Sequence, residues 1–114
     1  MRNLLAGILL FLIGQSLVWF QTNSQFFSTW AKNHPWIISI TGGTIISFTF
    51  IHATNFLAKY YNGELWPGRF IGFATGMIAF STLTYIIMNE NVNAKTFVCL
   101  GLACAIILIQ LLWK

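Results

Sequence analysis

The chain has 114 residues, 57% of them hydrophobic and 7% charged, with six basic and two acidic side chains and a net charge of +4. A soluble domain carries about 25% charged residues, so no surface made from this composition keeps a monomer of this size in water. The basic residues are scattered and never form a run, which gives no sign of a nucleic-acid partner. All eight charges (Arg2, Lys32, Lys59, Glu64, Arg69, Glu90, Lys95 and Lys114) lie between or outside four apolar runs, at residues 4–20, 36–57, 70–88 and 96–113. A transmembrane helix needs about 20 apolar residues to cross about 30 Å of hydrocarbon. The expected architecture is therefore all-α: a single four-helix transmembrane bundle over residues 1–114, with the lipid bilayer as its first partner.

In the first run, Arg2 and the apolar residues from Leu4 suit a signal peptide. The run continues to Phe20, however, and Gly14-Gln15-Ser16 is a poor small-x-small cleavage site, so it is expected to remain as a span. Gly7, Phe11 and Gly14 share one face. Gln15 is read either as a helix–helix hydrogen-bonding residue or as a ligand contact; a neutral amide cannot carry a proton. In the first loop, 21–34, Phe26, Phe27 and Trp30 suit a short surface-lying helical turn. His34 reads as a solvated interface residue, and Pro35 fits the first turn of the second span.

The second span has two faces of interest. Ser39, Gly43 and Ser47 suggest close packing. Thr41, Thr44, Phe48, His52, Asn55 and Lys59 follow one another at spacings of 3, 4, 4, 3 and 4, and form a polar stripe. Polar groups in hydrocarbon are costly and normally face the bundle interior or a wet cavity, so the stripe is expected inside. His52 is the sole ionisable side chain at depth. It is either a neutral imidazole bonded to a neighbouring helix or a proton-linked, ligand-contacting residue whose ring Asn55 orients. Gln15, Thr44, His52 and Asn55 are thus the candidate ligand- or proton-binding residues.

Pro67 and Gly68 open the third span, in which Gly68, Gly72 and Gly76 recur every fourth residue. This pattern lets another backbone approach closely; the alternative is a flexible helix beside a substrate cavity. An Asn-rich turn, 89–95, leads to the fourth span, where Gly101 and Ala105 repeat the packing device. Cys99 and Cys104 are five residues apart, about 140° around a helix, and read as small packing residues. No spacing suggests a metal site, and no cofactor is expected. Trp19, Trp30, Trp36, Trp66 and Trp113 all fall near span ends, the pattern of an aromatic belt at the headgroups.

Four spans place the N-terminus, second loop and C-terminus on one side, with Arg2, Lys59, Arg69 and Lys114; Lys32 and Lys95 lie on the other. The positive-inside rule then favours both termini in the cytoplasm, in the cytoplasmic (inner) membrane. The bias is small enough to permit dual insertion. There is no Asp, Glu64 and Glu90 fall on opposite sides, and Ser81 has no base near it in sequence, so no enzyme is expected.

Three segments resemble the drug/metabolite transporter superfamily, in particular its four-helix, small multidrug resistance-like members. Gly14-Gln15-Ser16-Leu17-Val18-Trp19-Phe20 is similar to the family's Gly-Thr-x-(Leu/Met)-x-Lys-Phe segment. His34-Pro35-Trp36 resembles the start of its second helix. Met88-Asn89-Glu90-Asn91-Val92, followed by Gly101, is similar to its Gly-Glu-x-Leu turn and Gly-rich last helix. The resemblance implies a homodimer, often antiparallel and joined largely through the last helix, that moves a small solute. It departs where it matters for mechanism: the family's proton-binding Glu falls on Phe11 and its Lys on Trp19. The expected function is a homodimeric transporter without the usual exchange carboxylate, its cavity lined by the first span and the Thr41–Asn55 stripe. The alternative is a non-transporting accessory subunit of a membrane complex.

Overall fold

The computed structural model describes residues 1–113; Lys114, counted above among the cations, lies outside them. The helices are α1 (Arg2–Asn23), α2 (Thr29–Asn33), α3 (Pro35–Tyr60), α4 (Trp66–Met88) and α5 (Ala94–Leu112), with a 3-10 turn at Ser24–Phe26. No strand occurs among the described residues. α1, α3, α4 and α5 are long and apolar enough to cross a membrane. Each covers an expected span and runs past it at one end or both, except that α5 stops at Leu112. Helix is the conformation that satisfies a backbone without water. The short α2 stands where the surface-lying turn was expected, capped by the Ser28 hydroxyl, which accepts from the Ala31 N–H at 3.3 Å.

Local signals end and start the helices. Tyr61 follows α3, and Asn62 and Gly63 then take positive φ angles of 56° and 94°, a conformation open to Asn and Gly at low cost. Asn89 ends α4 with φ 56°, and Asn93 caps α5 by accepting from Thr96 N–H at 2.8 Å. The Asn-rich turn is thus one helix stop and one helix start.

α1 is the central helix. It lies between α3, which runs antiparallel to it, and α4, which runs parallel; α5 packs on the far side of α4. Leu4, Gly7, Phe11 and Gly14 are buried along α1 at spacings of 3, 4 and 3, one continuous face. Against it lie Ala53 and Leu57 of α3 and Ile71 of α4. The approach depends on missing side chains. A Cβ on Gly7 would stand 2.6 Å from the Leu57 side chain, and one on Gly14 would run into the Phe50 ring. On α4, a Cβ on Gly72 would meet the Phe11 ring at 3.0 Å, and one on Gly76 the Gln15 amide at 2.9 Å. Gly72 and Gly76 therefore receive α1 side chains, while a Cβ on Gly68 would stand 3.7 Å from Leu57 of α3.

Within the single chain, three packing expectations are corrected. Gly101 has nothing within 4 Å of where its Cβ would be, because α5 turns this face outward; Ala103 is its one buried residue. Ser39 and Ser47 are exposed, and Gly43 meets only the Gln21 side chain. Trp19 does not belong to an interfacial belt. It is 2% exposed, and its indole N–H donates to the Thr84 hydroxyl at 2.9 Å, tying the end of α1 to the end of α4. The other four tryptophans are exposed.

The termini of α1 and α5 and the α3–α4 loop share one end of the molecule. There the Tyr61 hydroxyl donates to the Gln110 carbonyl at 2.8 Å, fastening the loop to α5. Burial, and secondarily the neighbouring Tyr60, hold the Tyr61 phenol above its ordinary pKa, so it stays protonated as a donor.

The glycine seats give a direct expectation. Gly72→Leu should cost about 1–3 kcal/mol through overpacking, and Gly101→Leu nothing measurable. Unfolding of the two variants by detergent titration checks this; equal stability would show that α1 does not rest on the α4 glycine row.

Candidate functional site: a groove between α1, α3 and α4

α3 and α4 both rest on α1 and touch each other sparsely, as where Leu57 meets Gly68. The gap between them is a groove of about 490 Å³. Its floor is Phe11 and Gln15 of α1. Phe50 and Thr54 form one wall and Gly68, Gly72 and Phe73 the other, with Leu65 and Arg69 at one end. That volume matches a small-molecule site, in which a mostly apolar lining carries a few polar groups that set orientation.

The polar groups sit at different levels. The Gln15 side-chain N–H donates to the Gly72 carbonyl at 2.9 Å. The same carbonyl accepts from the Thr75 hydroxyl at 2.9 Å, and that hydroxyl also reaches the Ile71 carbonyl. Gly76 leaves the room in which the Gln15 amide lies. The bond fixes the amide nitrogen and leaves its oxygen available to a ligand donor. Thr54 adds a hydroxyl. Arg69 is exposed and is the one charged side chain in the lining among the described residues, one helical turn from the start of α4 at Trp66. Phe11, Phe50 and Phe73 supply the apolar body; the Phe11 and Phe50 rings are 5.5 Å apart.

Of the expected ligand- or proton-binding residues, Gln15 alone lines this groove; Gly68 and Gly72, expected as packing residues or as part of a helix beside a cavity, line it as well. Thr44, His52 and Asn55 are exposed on the opposite side of α3, with Thr41, Phe48 and Lys59. The expectation that the stripe faces the bundle interior is therefore corrected for the single chain, as is a cavity formed jointly by the first span and the stripe. The reason is steric. α3 meets α1 through Ile46, Phe50, Ala53 and Leu57, because Ala53 and the Gly7 and Gly14 gaps bring the two helices close. Thr41 and Thr44 donate to the Ile37 and Ile40 carbonyls at 2.7 Å. His52 lies edge-on to Phe48, with ring centroids 4.6 Å apart. Phe50, Thr54, Leu65, Arg69 and Phe73 were not singled out as site residues; the one available signal was that Arg69 follows Pro67 and Gly68, the residues that open the third span.

Among the described residues, no three of His, Cys, Asp or Glu come together. Cys99 and Cys104 are free and exposed. The chain matches no family model, no curated protein and no solved structure. The transporter resemblance accordingly rests on its short motifs, and the two departures from them are now located. Phe11 stands buried between Gly72 and Phe50, and Trp19 is engaged with Thr84.

The Gln15 bond is open to test. Gln15→Leu should lose about 1 kcal/mol, the scale of an interhelical hydrogen bond in a membrane. Ser16→Ala should lose less, since that hydroxyl only returns to the Leu12 carbonyl of its own helix. Equal losses in an unfolding titration would contradict the inter-helix role of Gln15.

Proposed function

We propose that this chain is a small multi-pass protein of the cytoplasmic membrane that binds a small solute in the α1–α3–α4 groove and carries it across as a homodimer. The observation that carries the reading is the groove itself, about 490 Å³ with three phenylalanine rings, an amide and one guanidinium. Such a lining suits a solute with an apolar body and an anionic or acceptor group, the body among the rings and the head toward Arg69. A cationic solute is disfavoured, because no carboxylate lines the groove and Phe11 occupies the position where the resembled family has its Glu. His52 lies on the other side of α3, so this reading gives it no contact with the solute and no share in proton coupling. The basic residues favour both termini on the cytoplasmic side by four to two, a margin that leaves dual insertion open.

A second reading, an accessory subunit, is favoured by α5, which buries one residue and leaves most of its surface free for a larger protein. The two readings part on binding. In lipid nanodiscs the protein should bind a fluorescent medium-chain carboxylate. Arg69→Gln should weaken that binding about tenfold or more, the value of a charge-assisted hydrogen bond, and leave the neutral alcohol analogue unaffected. Thr54→Trp, which fills the groove, should abolish binding of both. Carboxylate binding indifferent to both substitutions, or absent from the wild type, would favour the subunit reading.

A further inference from the structure

α3 carries an outer face that no other element covers. Thr41, Thr44, Phe48, His52 and Asn55 are all exposed on it, flanked by Ile45 and Ile51 at 57% and 68% exposure. The face is symmetrical about Phe48. Ile45 and Ile51 lie three residues from it on either side, Thr44 and His52 four, and Thr41 and Asn55 seven. Phe48 is also the middle of the helix, Pro35–Tyr60. Residues three, four and seven from a given position share its side of a helix.

From this symmetry we infer that α3 is the seat of an antiparallel homodimer, with the two-fold axis passing between the two Phe48 rings. Two copies laid this way match at every level. Phe48 meets Phe48, Ile45 meets Ile51, Thr44 meets His52 and Thr41 meets Asn55. The hydrogen-bonding roles are complementary as well. Each threonine hydroxyl already donates to its own helix and keeps lone pairs to accept with. His52 and Asn55 are exposed, and the His52 ring N–H and the Asn55 amide can donate. Donors of one copy therefore meet acceptors of the other.

Depth makes the pairing necessary. His52 is four residues from the helix middle, about 6 Å along the axis, and hence inside the ~15 Å half-thickness of the hydrocarbon. A ring N–H left there against lipid is costly. Charge chooses the direction. A parallel pair on the same face would set His52 against His52 and Lys59 against Lys59. The antiparallel pair sends the two lysines to opposite ends. Copies inserted both ways are needed, and the four-to-two basic bias permits them. The occupant of this face is a second copy because the pattern complements itself. The interface rests on the homodimer of the preceding reading, though not on its solute, and it differs from pairing through the last helix.

The test is oxidative cross-linking in native membranes, with Cys99 and Cys104 replaced by serine. Phe48→Cys should shift the chain to twice its mass on a non-reducing gel. Thr44→Cys co-expressed with His52→Cys should form the mixed dimer, and neither should cross-link with itself. Ile46→Cys, on the buried side of α3, should stay monomeric. Self-linking of His52→Cys would overturn the antiparallel register. Wild-type chains that link through Cys99 or Cys104 on α5, with none of the α3 variants linking, would move the interface to the last helix and leave the homodimer standing. No cross-linking at any position, with a monomer by light scattering in nanodiscs, would remove both the interface and the homodimer.

Discussion

Everything in this fold depends on how closely α1 approaches its two neighbours. In lipid there is no hydrophobic gain from bringing apolar helices together, since the surrounding tails are equally apolar. Association must come from close contact and from hydrogen bonds between helices. This chain obtains the contact with glycines on both sides of α1. Gly7 and Gly14 admit Leu57 and Phe50 of α3, and Gly72 and Gly76 of α4 admit Phe11 and Gln15. It obtains the hydrogen bonds at two levels of the α1–α4 contact, through Gln15 to Gly72 and Trp19 to Thr84. Dispersion between a pair of atoms is small, but a side chain seated in a notch gathers dozens of such contacts.

The groove is a by-product of this arrangement. Because α3 and α4 are each held to α1, they have no need to pack tightly on one another, and the space left between them is floored by the same Phe11 and Gln15 that seat α1. Structure and candidate function are thereby coupled through two residues. The Gln15 amide is fixed through its nitrogen by the bond to Gly72 and also lines the space where a solute would lie. The Phe11 ring gives that space an apolar floor where a carboxylate would have made it a site for cations.

The four long helices were legible because a run of about 20 apolar residues is what a membrane-crossing helix needs. The Gly7–Phe11–Gly14 face and the Gly68–Gly76 row were also legible, since small residues at helical spacing have few other uses in such a segment. The inward face of α3 was not. In a soluble protein, polarity separates outside from inside; here both sides of α3 are largely apolar, and the polar stripe pointed the wrong way for a single chain. What decided the matter was the fit of Ala53 and Leu57 to the α1 gaps, which spacing on one helix cannot reveal. Trp19 was misread for a related reason. Its place near a span end suits a headgroup belt, and only the position of Thr84 across the bundle shows that its N–H has a partner within the protein. Arg69 reads in the sequence as one more interfacial cation; its place at the end of the groove comes from α4 beginning at Trp66, a turn before the apolar run does.

The central claim is that the space between α3 and α4 is an open, solute-accessible groove and not a seam filled by lipid. Side-chain accessibility in a bilayer tests it most directly. With the native cysteines replaced by serine, Thr54→Cys in the groove and Ile51→Cys on the outer face of α3 can be treated with a charged, membrane-impermeant thiol reagent in proteoliposomes. The account predicts that Thr54→Cys reacts and Ile51→Cys does not. Thr54→Cys as inert as Ile51→Cys would contradict it.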